Sequence, residues 1–314
     1  WNPRWFAYGT FPIYLLNTVQ ALLEPITPEK ALDPRILGRI LSALADIGTV
    51  CGVAMLGRRF FSSSIGLLAS LFTAFAVLHI QLAHFFTFDT FVAFFSIWTL
   101  FFLYKVAKSG DKTASMVSGL LIGLGIASKF SVFVLILPFV AAHLIFVLRE
   151  INNTSSNKAL LWETIYSGLI GISSGIVAVA IAQPYALLDW TTYWSDINEQ
   201  SEMVRRLRDY PYTRQYIDTA AYIYQVVQMG RWGLGWPLTI LSILSIFWAL
   251  GRGQKLFGII VTTSVTVVIP AAILLHSNDY LSLSIASGIS VIGLISSRIF
   301  SIEKYTNSTM LLSW

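Results

Sequence analysis

Long uncharged runs, separated by tight clusters of charge, are the feature that most limits what this chain can fold into. A helix needs about 20 mostly apolar residues to cross the hydrocarbon of a bilayer. Nine runs are read as spans: Ile36–Leu56, Ile65–Leu82, Thr90–Tyr104, Thr113–Ser128, Phe130–Leu148, Thr164–Ala182, Gly233–Leu250, Leu256–Leu275 and Tyr280–Ser297. The runs are continuously apolar and do not alternate, which favours helices over a barrel. Composition agrees. Only 12% of the residues are charged, about half the share of a soluble domain. That is too few to cover a soluble core of this size. Cys51 is the single cysteine, so an intrachain disulfide or cysteine cluster is excluded. The expected fold class is all-α, a polytopic transmembrane bundle of about nine spans, taken as one domain over residues 1–314.

Lys and Arg in the short loops set the orientation. Arg58, Arg59, Lys105, Lys108, Lys112, Arg149, Lys158, Arg252, Lys255, Arg298 and Lys304 fall on one side, which is read as cytoplasmic. The opposite short junctions carry only Lys129. The outer side then holds the N-terminal stretch to Asp33, His84–Asp89, Lys129, His276–Asp279 and a long segment from Gln183 to Trp232. Among the acids, Asp111, Glu150, Glu163 and Glu303 lie inside and the others outside or near the outer surface. The basic net charge is therefore topological, and no basic stripe with interleaved aromatics points to nucleic acid. Trp5–Leu23 is uncharged but interrupted by Pro12 and rich in aromatics. It is read as an outward interfacial or re-entrant helix, with a tenth span as the alternative.

Ionisable groups gather near the outer face from positions far apart in sequence. Lys129 is the only lysine, arginine or carboxylate between Lys112 and Arg149, and it opposes the positive-inside trend. Such a cation wants an anion; it is a candidate phosphate contact, or else a helix-end lysine reaching water. His84 and Asp89 fall at one junction and could orient an acceptor hydroxyl, move a proton or supply two metal ligands. For Asp89 the alternative is a helix cap. Two ligands are a weak metal signal, and no metal site is expected. His79 is read as a packing residue. Arg39 and Asp46 share a face about 10 Å apart along the first span. Asp46 is read as an interhelical clamp and Arg39 as a second anion contact. The segment 183–232 mixes Tyr, Trp, amides and carboxylates, which suits sugar binding or a lid on the headgroups. No Walker A loop, Rossmann glycines, zincin motif or nucleophile elbow is present.

Four stretches resemble the GT-C superfamily of integral-membrane glycosyltransferases, in its protein-mannosyltransferase-like branch (family 39 and bacterial relatives). They are NPRWFAYGTFPIYLL, GRILSALADIGTVCGVAMLGRRFF, HFFTFDTFVAFFSIWTLFFLY and GLLIGLGIASKFSVFVLILP. Segments like QPYALLDW and PYTRQY often follow in bacterial members. The likeness covers about residues 2–236. It implies transfer of one sugar from a polyprenyl-phosphate donor to an acceptor hydroxyl of a protein, lipid or glycan. The transfer would be extracytoplasmic, with inversion, in a bacterial inner membrane. It implies no cofactor, no nucleotide and no general need for a metal. Lys129 matches the family's phosphate-binding lysine, and His84 and Asp89 its acceptor-side junction. Arg39, Tyr185, Tyr212 and Arg214 are the further substrate-binding candidates.

Two departures qualify the likeness. The family's main catalytic acid lies in the first external loop, which would precede Trp1. The chain is therefore expected to be N-terminally truncated and inactive alone. Near the C-terminal end, SNDYLSLS offers Asp279 where relatives often carry an arginine. A transporter or flippase of a lipid-linked anion, and a non-catalytic membrane fragment, remain as alternatives. The transporter would call for inverted repeats, which the sequence lacks.

Overall fold

The computed structural model describes residues 2–26, 33–151, 156–205, 207–217, 219 and 223–251. The expected spans Leu256–Leu275 and Tyr280–Ser297 lie outside these residues, as do Arg252, Lys255, Asp279, Arg298, Glu303 and Lys304. The described residues are helical, with no strand among them. The chain divides into two compact units, Trp1–Ile240 and Leu241–Trp314. Everything below concerns the first.

Helix α1 covers Phe11–Leu23. Helix α2, Pro34–Phe60, starts under an Asp33 cap that accepts Arg35 N–H at 2.8 Å, and it ends on Arg58 and Arg59. An acidic cap at the start and bases in the last turn suit the helix dipole. The expected second span is broken. Helices α3 (Ser63–Ala74) and α4 (Val77–Ala83) meet at an angle of 61°. Helices α5 (Phe88–Ser109) and α6 (Lys112–Ile126) follow, joined through Gly110 and an Asp111 cap. A 3-10 turn, Phe130–Leu135, leads into α7, Ile136–Glu150, and α8 covers Asn157–Ala182.

Four of these segments are long and apolar enough to cross a membrane: Pro34–Phe60, Phe88–Ser109, Phe130–Glu150 and Asn157–Ala182, with the bent α3–α4 pair as a fifth. Helix α6 is shorter. Its 15 residues reach about 22 Å, against about 30 Å of hydrocarbon. The chain is thus an all-α helical membrane protein whose first six expected spans all coincide with helices. The described residues do not establish the number nine.

Packing is closest between α6 and α8. A Cβ on Gly119 would meet the Gly171 carbonyl oxygen at 1.8 Å, and one on Gly123 would meet that of Gly175 at 2.3 Å. Only glycine lets two backbones approach this closely. Across the same seam Ser174 Oγ donates to the Met116 carbonyl at 2.7 Å. His143 of α7 is buried beside it, with Nε2 at 3.0 Å from Ser115 Oγ. Asp46 of α2 meets His79 of α4 at 2.6 Å. This contact ties the lower arm of the bent pair to α2, and it gives the clamp expected of Asp46 its partner.

The two ends of the bundle differ in chemistry. At one end Arg59 and Lys105 lie over the Phe101 ring, and Lys112 faces both Glu163 and Tyr166. The other end carries the N-terminal strand of chain, the α4–α5 junction, Lys129 and the segment after α8. That is the division the charge pattern anticipates.

Candidate active site

Residues 2–10 form no regular element, yet Asn2, Phe6, Gly9 and Thr10 bond this stretch to the Lys129 end of the bundle and the segment after α8. Gly9 N–H donates to Ser128 O and Phe11 N–H to Ala127 O, both at 3.0 Å. Thr10, buried, donates to Ala182 O at 3.1 Å. Phe6 N–H donates to Asp196 Oδ2 at 2.6 Å, and Asn2 donates to Asp189 Oδ2 at 3.1 Å. At Gly9 a Cβ would sit 1.9 Å from Ala127 O, so the strand can lie against the end of α6 only with glycine there. The strand thereby joins three regions far apart in sequence: the α6 end, the α8 end and helix α10, Trp190–Val204.

Lys129 follows α6 and stands in extended conformation at the head of the 3-10 turn. Its ammonium meets Asp89 Oδ1 at 2.8 Å and lies 5.8 Å from the centre of the Tyr8 ring. Tyr8 in turn stacks on Phe88 at 5.1 Å and touches Trp5 at 5.8 Å. Lys129 and Asp89 are 33% and 47% exposed. Water therefore screens the pair, and it adds at most about 1 kcal/mol of stability. An ion pair so placed does little for the fold, and a bound anion can compete for its lysine.

Asp89 is carried by α5, but not as its cap. The capping position is Thr87, and Asp89 stands in the first turn, where a carboxylate still favours the helix dipole. Ser42 of α2 fixes this junction: its hydroxyl accepts Thr87 N–H and the Thr90 hydroxyl, both at 3.3 Å. The sequence pairing of His84 with Asp89 is not reproduced. His84 Nδ1 lies 2.6 Å from the Ile80 carbonyl one turn back, while Asp89 turns to Lys129. Among the described residues no three His, Cys, Asp or Glu side chains gather as a metal site.

The other expected contacts are spread out. Arg39 is exposed on α2 and lies over Phe85 at 5.9 Å. Tyr185, at the start of the short helix α9 (Tyr185–Leu188), is half-buried against Phe6, Ala186 and Tyr193. Arg214 is held by Asp209, with Nη2 to Oδ2 at 2.6 Å and Nε to Oδ1 at 2.9 Å. That hydrogen-bonded guanidinium holds the Asp209 carboxyl below its ordinary range. Asp189 is lowered likewise, first by the Thr192 hydroxyl and then by Asn2. Tyr212 is 60% exposed, and its hydroxyl lies 3.1 Å from Met203 Sδ.

Sequence reasoning misses Tyr8, Trp5, Asp196 and Glu199. The aromatic run near the N-terminus was legible, but nothing in it shows that Tyr8 and Trp5 turn toward Lys129 and α10. For Asp196 and Glu199 a signal existed, since their spacing of three places both on one helical face.

A multi-span helical bundle, with a lysine–carboxylate pair and aromatic walls at one end, defines a helical membrane protein with an ionic cluster at a helix junction. Residues 34–177 match the family described as dolichyl-phosphate-mannose-protein mannosyltransferase. The match covers α2 to most of α8, including Asp89 and Lys129, and over those residues the chain is similar to GT-C mannosyltransferases. A search of curated proteins found no match.

Proposed function

We propose that this protein transfers a sugar from a polyprenyl-phosphate donor to an acceptor hydroxyl on the extracytoplasmic side of a membrane, with inversion. The observation that carries the reading is the Lys129–Asp89 pair beside Tyr8, on a chain that matches a mannosyltransferase family. The reaction needs a cation where charge develops on the leaving phosphate, and it needs a base for the acceptor hydroxyl.

In this reading the two residues hold each other until the donor arrives. The donor's phosphate takes Lys129, and Asp89 is released to face the acceptor. The acceptor oxygen bonds to the anomeric carbon as the bond from that carbon to the phosphate oxygen breaks. The hydroxyl proton passes to a carboxylate, and the polyprenyl phosphate leaves with its electron pair, its charge met by Lys129. Tyr8 and Phe88 wall the junction and limit water. Arg39, Tyr185, Tyr212 and Arg214 remain proposed substrate contacts, and His84 a proposed proton-transfer group. Bacterial inner-membrane placement belongs to the same proposal.

The test is transfer of label from a radiolabelled polyprenyl-phosphate sugar in membranes expressing the full-length gene. Lys129→Ala at normal protein level should abolish transfer. Unimpaired transfer in that variant removes the phosphate role from Lys129. Movement of intact donor across the membrane, without transfer, would make the protein a flippase.

A further inference from the structure

One cavity lies beside the Lys129 junction and has a different chemistry. It encloses about 150 Å³ between the N-terminal strand, α10 and the 3-10 turn Pro211–Tyr216, and its walls include Trp5, Asp196, Glu199, Gln200, Tyr210 and Tyr212. No lysine or arginine lines it, so it is not built for phosphate. Pockets for drug-sized ligands occupy about 300–1,000 Å³. This one has room for a single ring, not for a lipid chain.

The carboxylates are present but largely occupied. Asp196 Oδ2 accepts Phe6 N–H at 2.6 Å. Glu199 Oε1 accepts the Tyr210 hydroxyl at 2.5 Å and lies 3.7 Å from Arg208 Nη1. Among the described residues no partner meets Asp196 Oδ1 or Glu199 Oε2. A pocket with two unbalanced carboxylates would select an ammonium. Here one negative charge is shared with arginine and the other with an amide. What remains facing the cavity is a set of acceptor lone pairs, the Gln200 amide and the ring faces of Trp5, Tyr210 and Tyr212. That combination suits a ring with several hydroxyls and apolar C–H faces: acceptors take the hydroxyls, and aromatics cover the C–H side.

The cavity also neighbours the proposed reaction centre through a run of aromatic contacts. Trp5 lines it and touches Tyr8 at 5.8 Å, and Tyr8 lies 5.8 Å from Lys129 Nζ. A ring seated there would pack on Trp5, whose other contact is Tyr8 of the junction. We propose that this pocket binds a neutral hexose-sized ring of the acceptor, so that the preferred acceptor is a glycan or glycoside and not a peptide hydroxyl. The inference rests on the glycosyl-transfer reading and specifies its acceptor.

Saturation-transfer NMR on the purified full-length protein in detergent tests it, with a methyl hexoside, glucosamine and inorganic phosphate as separate probes. The hexoside should bind. Tyr212→Ala should weaken that binding about tenfold, the size expected for loss of one aromatic anchor. Tyr212→Phe should retain it, because the ring and not the hydroxyl is used. Tyr212 is exposed, so neither change threatens the fold. Binding of glucosamine alone would make this an ammonium pocket and overturn the proposal. So would hexoside binding indifferent to Tyr212→Ala, or no binding by any probe. Robust transfer to a peptide without hexoside binding would sink the acceptor claim and leave the transferase reading standing. Hexoside binding with no transfer from any polyprenyl-phosphate donor would count against the transferase reading instead.

Discussion

Helix α6 has two neighbourhoods that obey different rules. Along its length it meets α8 backbone to backbone, through glycines and two serine hydrogen bonds. At its C-terminal end it gives way to Lys129, with an ion pair, an aromatic wall and water access. In lipid, helices gain nothing from hiding apolar side chains from one another, so close approach and satisfied polar groups hold them. The seam therefore carries stability and tolerates no added atoms. The junction carries charge that contributes little to stability. Damage to the first should remove the protein, and damage to the second should remove only what it does.

The largest expected effect is at the seam. Gly119→Leu puts side-chain atoms where the Gly171 carbonyl already stands, and α6 and α8 must part. A loss of about 3 kcal/mol or more is expected, read as disappearance of the monodisperse peak in fluorescence-detected size exclusion. Gly168→Ala, on the same α8, is the contrast. Its Cβ would find its nearest atoms at 3.9 Å, on His143, and the change should stabilise slightly, by about 0.5 kcal/mol. If Gly119→Leu keeps its melting temperature, the seam is not where stability resides.

Next in size is Lys129→Ala. Transfer should fall about a hundredfold or more, while thermal stability shifts by less than about 1 kcal/mol. The dissociation of the two readouts is the point. A variant that melts as early as it loses activity would place Lys129 with the structural residues. Asp46→Ala should behave in between. It leaves His79 without its partner between α2 and α4, at a cost of about 1–3 kcal/mol. Transfer should fall only through loosening of α4 and the junction that follows it. A measurement at fixed folded fraction separates the two contributions.

Runs of uncharged residues were enough to find the helices, because a bilayer demands length and apolarity and little else. They were not enough to find the break in the second span: Ile65–Leu82 reads as one run, yet it bends between Ala74 and Val77. Lys129 was legible because a lone charge in an apolar stretch has no bland environment to fall into. Its partner was not. Asp89 sits five residues from His84 and forty from Lys129, and proximity in sequence favoured the histidine. His143 was passed over, although it is a buried ring nitrogen pair inside a span. Nothing in the sequence announces that Ser115, on the preceding α-helix, will meet it. The N-terminal strand was hardest of all. Its role depends on backbone hydrogen bonds to Ala127 and Ser128 and on the Thr10 hydroxyl bond to Ala182, and backbone bonds leave no residue signature beyond the glycine at position 9.

The smallest expected effect concerns pH and separates the outer segment from the bundle. Asp189 and Asp209 are held below their ordinary range by hydrogen bonds from Thr192 and Asn2, and from Arg214. Because the folded state lowers these values, the stabilisation is fully present above the unfolded carboxylate value of about 3.9. It is lost as pH falls through the lower, folded values. Hydrogen-exchange protection across residues 189–214, corrected for intrinsic rates, should be flat from pH 8 to 5 and should decline only below about pH 4. Amides in the middle of α6 and α8 should keep their protection over the same range, since glycine contacts and serine hydroxyls hold the seam there and the Glu163 carboxylate, facing Lys112, lies exposed beside the start of α6. Loss of protection already between pH 7 and 5 would point to a histidine instead, and the Asp189 and Asp209 contacts would no longer explain how this segment holds its structure.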